Sequence, residues 1–466
     1  MGELERLALA CVFPGFPGLE PPEWVRRRLA DGLGGVVLFA WNVDAPEQVA
    51  SLTRAIRAER RETLVAIDEE GGDVTRLEAG SGSSYPGNLA LGTVDDVALT
   101  DGVARAIGQD LLGVGIDLNL APVADVNSNP DNPIIGVRSF GSDPAVVARH
   151  VAAFVRGLQS AGVAACAKHF PGHGDTAEDS HLALPTVAAV LEGALAPFRA
   201  AVAAGVQAVM TAHIRVRALG PEPATLSPTV LRGLLRDELG FEGLVVTDAL
   251  EMRAISATVG VEEGAVAALA AGADSLCLGH DLAADAVDGV VRAIAGAVRG
   301  GRLAEERLAE AAGRVARVSA WTRTLQQTVA KSGVSVWAGV GLEAARRALL
   351  VEGDVGLGGR PPVVVELLPE PSIAAGPTGA RLAAFLPSVA DTQSGGRRVL
   401  VCRDLHRHEW QREQVEREPE AIVVEMGVPV WRPRRTRGYV ATFGAGRANL
   451  QAAAERLTES AGRRLA

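Results

Sequence analysis

The chain has 466 residues, 48% of them hydrophobic, and a formal net charge of −10. That length exceeds one ordinary domain and supplies ample apolar material for large cores. The acidic balance argues against a nucleic-acid partner, and no uncharged apolar run of membrane length is evident.

In chain order, Met1-Gly2-Glu3-Leu4-Glu5-Arg6 carries mixed charge and leads into no apolar signal region, so the expected compartment is the cytoplasm. Short β-type runs follow at 7–14, 34–39, 63–68, 117–124, 163–169, 208–213, 244–248 and 274–279. Segments with helical spacing lie between most of them, among them 142–160, 186–204, 228–239 and 259–271. Strand–helix alternation repeated about eight times predicts a parallel sheet, and over this length a closed (β/α)₈ barrel. The runner-up, an open doubly wound sheet, would carry a Gly-rich phosphate turn after its first strand, and Val12-Phe13-Pro14-Gly15-Phe16 is not one.

A long amphipathic helix is expected at 303–327, ending a barrel domain over 1–327. A linker follows at 328–340 and a smaller α/β domain at 341–466. The smaller domain's strands are expected at 361–367, 398–402, 420–425 and 438–443, and its helices near 341–350, 406–417 and 447–462. Cys11, Cys166, Cys277 and Cys402 sit in apolar runs and read as core residues. No Cys/His spacing suits zinc, and His406-x-His408 lacks a third ligand, so no metal and no cofactor are expected.

The densest chemistry runs from Lys168 to His181: Lys-His-Phe-Pro-Gly-His-Gly-Asp-Thr-Ala-Glu-Asp-Ser-His. Three of the chain's 8 histidines lie in it, and Lys168 is one of only two lysines, the other being Lys331. A chain that writes nearly every cation as Arg has kept a compact ammonium here. The stretch follows a buried-strand run, and catalytic groups of barrels sit at the carboxyl ends of strands. Other strand ends add Asp68-Glu69-Glu70, Asp125 with Arg138 in the loop beyond it, His213, and Thr247-Asp248. Carboxylates, cations and imidazoles in one ring suit a neutral, hydroxyl-rich ligand. Zinc chemistry fits less well, because Pro171 and Gly172 break the helix that His169-x₃-His173 would need. Schiff-base chemistry also fits less well, because the neighbours of Lys168 look built for hydrogen bonding.

The 168–181 stretch, followed by Leu184-Pro185, resembles the signature of family 3 glycoside hydrolases of the β-N-acetylhexosaminidase branch. Further similar motifs occur in family order: Asp-x-Glu-Gly-Gly at 68–72, Tyr85-Pro86-Gly87-Asn88, Asn132-Pro133 through Arg138-Ser139-Phe140, and Thr-Asp-Ala-Leu-x-Met at 247–252. The resemblance spans about residues 5–320 and is looser beyond. It implies Asp248 as a nucleophile forming a glycosyl-enzyme intermediate and His181 as general acid/base. Asp179 would orient that imidazole, a departure from the two-carboxylate scheme. Asp68, Arg76, Arg138, Lys168 and His169 would bind sugar hydroxyls, and His213 joins them as a substrate-site candidate. Glu69 stands where many members have Gln.

The general chemistry agrees with these roles. A nucleophilic carboxylate must stay ionised, which Lys168 would favour, and histidine titrates near operating pH. The Gly-flanked Asp-Ser-His segment is expected to close over bound substrate.

The implied substrate is a β-N-acetylglucosaminide oligosaccharide or muropeptide, handled by a monomer or homodimer. Inorganic phosphate is the alternative acceptor. A carboxylate acid/base would repel phosphate about 5 Å away by roughly 3 kcal/mol per unit charge at an effective dielectric of about 20, a cost a neutral imidazole avoids. A β-glucosidase, a sugar-binding protein without catalysis, and attack by the substrate's own acetamido group stand as further alternatives.

Overall fold

In the computed structural model, residues 1–466 are described except 190–191, 280–283, 333–338, 377–378, 388–395 and 460–466. Eight parallel strands follow one another around a ring: β1 (Val12–Pro14), β2 (Gly35–Leu38), β3 (Leu64–Ile67), β4 (Leu118–Asn119), β5 (Ala164–Phe170), β6 (Ala208–Thr211), β7 (Leu244–Val246) and β8 (Leu276–Leu278). Strands β2 to β7 form one sheet and β1 pairs with β8. The bridge from Val246 to Ser275 joins β7 to β8, and Gly34 N–H donates to the Leu9 carbonyl beside β1 and β2, so the sheet curls into a barrel.

Strand alternation divides the apolar residues between two cores. Phe13, Val37, Ala66, Leu118, Cys166, Met210, Val246 and Cys277 fill the barrel interior. Their sequence neighbours Val12, Val36, Val65, Ala165, Val209, Val245 and Leu276 face outward under the helices. Both faces of each strand are therefore buried, as a parallel sheet requires. All four cysteines are buried and free.

Helix starts have local causes. Asp96 accepts the N–H groups of Ala98 and Leu99 to cap Val97–Gly113, and Asp143 caps Pro144–Ser160, with Pro144 pre-set in the first turn.

Several expected boundaries are corrected. The run 7–14 is a strand only at Val12–Pro14, because Glu3–Ala10 is a helix. An apolar Ala/Leu run cannot by itself tell helix from strand, and here it packs on the helices Ala284–Arg299 and Glu305–Ser332. The expected helix 186–204 contains a two-residue strand, Thr186–Val187, before a helix at Glu192–Ala203. The long helix runs from Glu305 to Ser332, through the first residues of the expected linker, and 333–338 of that linker lie outside the described residues. Val315, Val318 and Trp321 of this helix pack against the inner core of the barrel.

The second unit is a five-stranded sheet in the order β9-β13-β12-β11-β10: β9 (Leu350–Gly353), β10 (Val363–Leu367), β11 (Arg398–Cys402), β12 (Ile422–Glu425) and β13 (Gly438–Ala441). Strand β9 is antiparallel to β13 and occupies the end of what sequence reads as a helix over 341–350; the helix itself is Val340–Ala348.

This unit docks against the β3 loop of the barrel. Asp73 pairs with Arg403 and accepts the Ala445 N–H at 2.6 Å. Arg447 reaches Glu78 and Ser84. Arg76 donates to the carbonyls of Ala374 and Ala375 at 2.9 and 3.3 Å.

Candidate active site

Three strand ends converge on one buried ionic network. Lys168, near the end of β5, places Nζ 2.6 Å from Asp68 and 2.7 Å from Glu70, both just beyond β3. Arg138, from the loop after β4, grips Glu70 through Nε and Nη2 at 2.9 and 2.8 Å. Burial alone would raise the Glu70 carboxyl, but the charges of Arg138 and Lys168 outweigh it and hold the group far below the usual carboxylate range. Burial likewise opposes the Lys168 ammonium, and Asp68 and Glu70 overcome it, so its pKa is raised.

Sequence reasoning selected Asp68, Arg138 and Lys168 but passed over Glu70, the group that joins them. The signal was in hand, since Glu70 is the third residue of the Asp-x-Glu-Gly-Gly run.

Asp68 accepts Lys168 on Oδ1 and lies 4.0 Å from Arg76 through Oδ2, so it keeps acceptor capacity facing the barrel mouth. Arg76 spends both Nη groups on the second unit, while its buried Nε has no hydrogen-bond partner. Glu69 turns away from this network. Its carboxylate accepts the backbone N–H groups of Arg76 and Leu77, and burial pushes its pKa to about 7. A glutamine carbonyl would make the same contacts, which fits the Gln expected there.

His169 is held by a second carboxylate that sequence reasoning did not select. Asp125 is fully buried, and its Oδ2 lies 2.7 Å from His169 Nδ1. The other oxygen accepts the N–H of His173 at 2.6 Å. That arrangement makes Nδ1–H the donor and leaves Nε2 for a ligand.

The Asp-Ser-His loop grows out of the same corner. Gly174 is forced there, because a Cβ would lie 1.7 Å from the Val126 carbonyl oxygen. His173 is kept neutral by burial, with its pKa lowered to about 4. Its Nδ1 meets Thr176 Oγ1 at 2.7 Å and its Nε2 meets Ser180 Oγ at 3.1 Å, which ties the loop down.

At the loop tip, Asp179 Oδ1 accepts both the His181 backbone N–H and, at 2.7 Å, its Nδ1. Burial disfavours the imidazolium, yet the Asp179 hydrogen bond and the negative charges of Asp248 and Asp179 prevail and raise its pKa. Burial also opposes Asp179 ionisation, and the His181 contacts overcome it.

Asp248 follows β7. Its Oδ1 accepts the Ala249 N–H at 2.8 Å, leaving Oδ2 for chemistry. Burial would raise its pKa, but His213, His169 and His181 around it lower it. The imidazoles, rather than the Lys168 expected from sequence, keep it ionised. His213 uses both nitrogens within the protein, Nδ1 on Thr225 Oγ1 at 2.8 Å and Nε2 on the Ala249 carbonyl at 3.0 Å. It therefore supports the backbone beside Asp248 and has no nitrogen left for a sugar, contrary to its expected place in the substrate site.

The ring of groups thus contains an ionised carboxylate, a carboxylate-bound imidazole and a cluster of hydrogen-bonding charges at one barrel mouth. A family model described as Glycosyl hydrolase family 3 N terminal domain matches residues 19–318.

The chain belongs to glycosyl hydrolase family 3.

Within this family, the Beta-hexosaminidase A of Pseudoalteromonas piscicida is 40% identical over 51% of this chain and 44% of its own length. The chain therefore spans under half of that relative. The Beta-hexosaminidase of Stenotrophomonas maltophilia (strain K279a) is 38% identical over 59% of this chain and 82% of its own. A solved family 3 beta-N-acetylglucosaminidase from Paenibacillus sp. str. FPU-7 superposes with a TM-score of 0.86 at 34% identity. That match covers 99% of this chain and 97% of the Paenibacillus one, so the barrel with its appended α/β unit is a family arrangement. The protein is a glycosidase. Among the described residues no helix is long and apolar enough to cross a membrane.

Proposed function

We propose that the protein is a retaining β-N-acetylglucosaminidase that removes terminal N-acetylhexosamine, with Asp248 as nucleophile and the Asp179–His181 pair as general acid/base. The observation that carries this reading is the 2.7 Å contact between His181 and Asp179, on a loop electrostatically coupled to Asp248. The raised pKa of His181 supplies a proton where a departing oxygen needs one. The lowered pKa of Asp248 keeps Oδ2 ionised for attack.

In the first step Asp248 Oδ2 bonds to the anomeric carbon as the glycosidic C–O bond breaks, and His181 delivers its Nε2 proton to the leaving oxygen. In the second, neutral His181 takes a proton from water as the water oxygen displaces Asp248 from the anomeric carbon. Two displacements retain configuration. Asp179 keeps the imidazole oriented and stabilises its charged form. Asp68, Lys168, Arg138 and His169 Nε2 bind the sugar hydroxyls, with Glu70 and Asp125 fixing the cations and the imidazole. The names of the relatives support an N-acetylhexosamine in the pocket. Chitin-type or cell-wall fragments in the cytoplasm are the proposed substrates.

Two measurements test this. A chromogenic N-acetyl-β-glucosaminide should release free N-acetylglucosamine at a rate independent of phosphate; accumulation of the sugar 1-phosphate would replace hydrolysis by phosphorolysis. Asp248→Ala should lose activity by about 10⁴-fold or more and recover with azide as the inverted glycosyl azide. A variant unresponsive to azide would favour acetamido attack.

A further inference from the structure

Between the β4 and β5 loops of the barrel and the second unit lies a cleft of about 290 Å³. Its barrel wall includes Arg138 and Asp179, so it adjoins both the ionic network and the carboxylate that holds His181. Its facing wall is built by the second unit, through Ile373, Arg403 and Arg407. The volume matches the lower end of small-molecule sites, about 300 Å³.

That facing wall is a fixed one. The buried Glu425 accepts the N–H groups of Asp404 and Leu405, which sets the turn, and Arg403 is pinned by the buried Asp73. His406 and His408 fall before the helix Glu409–Glu416 rather than inside the helix expected near 406–417, and His406 Nε2 adds a 2.8 Å contact to the Pro130 carbonyl that braces the junction.

Arg138, Arg403 and Asp179 are each engaged by an opposite charge. Arg407 is exposed and has no ion-pair partner among the described residues, and neither has Glu370 at the rim. On the same walls, Leu182 is 61% and Ile373 58% exposed. A guanidinium donor, a carboxylate acceptor and two apolar side chains are what one pyranose ring asks of a site, because its edge is hydroxyls and its face is C–H.

We infer that this cleft is the leaving-group subsite, that it takes a saccharide, and that Arg407 of the second unit donates to the departing sugar. The inference rests on the glycosidase reading above, since His181 must stand at the glycosidic oxygen and a wall shared with Asp179 then lies on the departing side. Two sources offer oxygen acceptors to Arg407: a neutral amino-sugar oligomer, and a sugar bearing a carboxylate.

The test uses the full chain and three probes: an aryl N-acetyl-β-glucosaminide, N,N′-diacetylchitobiose, and a disaccharide whose reducing sugar carries a lactyl ether carboxylate. In Arg407→Ala the ratio of disaccharide to aryl kcat/KM should fall at least about tenfold, mainly through KM, as loss of a charge-assisted hydrogen bond implies. Arg417→Ala, which removes an exposed arginine paired with Glu413 outside the cleft, should leave the ratio unchanged. A fall confined to the acidic disaccharide assigns a carboxylate reader, and a fall for both assigns a hydroxyl reader. An unchanged ratio, or an equal loss on all three probes, overturns the subsite. Wild-type protein that cleaves the aryl probe and neither disaccharide overturns it while leaving the glycosidase reading intact. Cleavage of none of the three sinks both.

Discussion

Buried carboxylates clamped by cations occur at both ends of the barrel, and the two ends use them differently. At the amino-terminal end, Asp117 precedes β4 and Asp274 precedes β8, four strands apart. Each accepts an N–H from the neighbouring strand, Val65 and Val245 respectively, and each is met by arginine: Arg57 for Asp117, and Arg236, Arg307 and Arg314 for Asp274. Three of these arginines also donate to backbone carbonyls, as Arg57 does to Gly115, Arg236 to Phe241 and Gly243, and Arg307 to Ala273.

At the carboxyl end, Asp68, Glu70, Lys168 and Arg138 make an equally tight network, but valences stay open. Asp68 Oδ2, Arg76 Nε, His169 Nε2 and Asp248 Oδ2 have no hydrogen bond within 3.5 Å among the described residues. The same ion-pair physics clamps strands together at one end, where of these four arginines only Arg314 has a buried Nε without a partner among the described residues, and leaves carboxylate oxygens and an imidazole nitrogen open at the other.

Substitutions can break or sharpen that contrast, and the largest expected effect is at the open end. Asp179→Asn should cut kcat/KM by about 10²–10⁴-fold. It should also move the alkaline limb of the pH profile to lower pH, because the negative charge that raises the His181 pKa is gone. A full pH–rate profile reads both, and an unmoved limb would remove Asp179 from the acid/base role.

Next, Asp274→Asn should cost about 3–5 kcal/mol of stability by leaving Arg236, Arg307 and Arg314 short of a counter-charge. Urea titration measures that loss, and kcat/KM per folded molecule should stay within about twofold if the closed end only supports the barrel.

Glu70→Gln crosses the two categories. It should lower kcat/KM by about 10²-fold, about 2.7 kcal/mol, through both KM and kcat, as Lys168 and Arg138 lose their shared anchor. A change in thermal stability alone, with kinetics intact, would place Glu70 with the closed end.

The smallest effect belongs to Glu69→Gln. The folded pKa of about 7 lies above the group's ordinary 4.5, so ionisation destabilises the folded state progressively as pH rises from 4.5 through 7. The amide should raise Tm by a few degrees at pH 8 and by less than about one degree at pH 4. A matching rise at both pH values would show packing, not charge, to be the cause.

How far the sequence reaches is clearest at particular residues. The aliphatic runs of β2, β3 and β7 announce strands because both their faces are buried, and all three lie within the expected segments. The start of the chain misled, since Leu7-Ala8-Leu9-Ala10 is apolar on any periodicity, and it is helix where it packs on the helices Ala284–Arg299 and Glu305–Ser332. Asp248, Asp179 and His181 drew notice because Gly, Pro and titratable groups crowd their segments, and the structure brings Asp179 within 2.7 Å of His181. Glu70 was quoted within a motif and Asp125 at a strand end, yet neither was selected. Their role is to hold other side chains, and a hub is defined by distances between segments that are 44 to 68 residues apart in the chain for Asp125–His169 and Glu70–Arg138.

The order of residues was enough to point to the barrel with its smaller companion and to the family, because periodicity and motif chemistry are local properties. Only the tertiary structure decided which of the candidate side chains remain open. His213 looked like a ligand-binding residue and proves fully occupied, while Lys168 looked like the guardian of Asp248 and instead serves Asp68 and Glu70. It also brought Arg407 to the mouth of a barrel whose strands end at Leu278. A side chain's remaining valence depends on every group within hydrogen-bond reach, and that set is assembled by the fold rather than by the order of the chain.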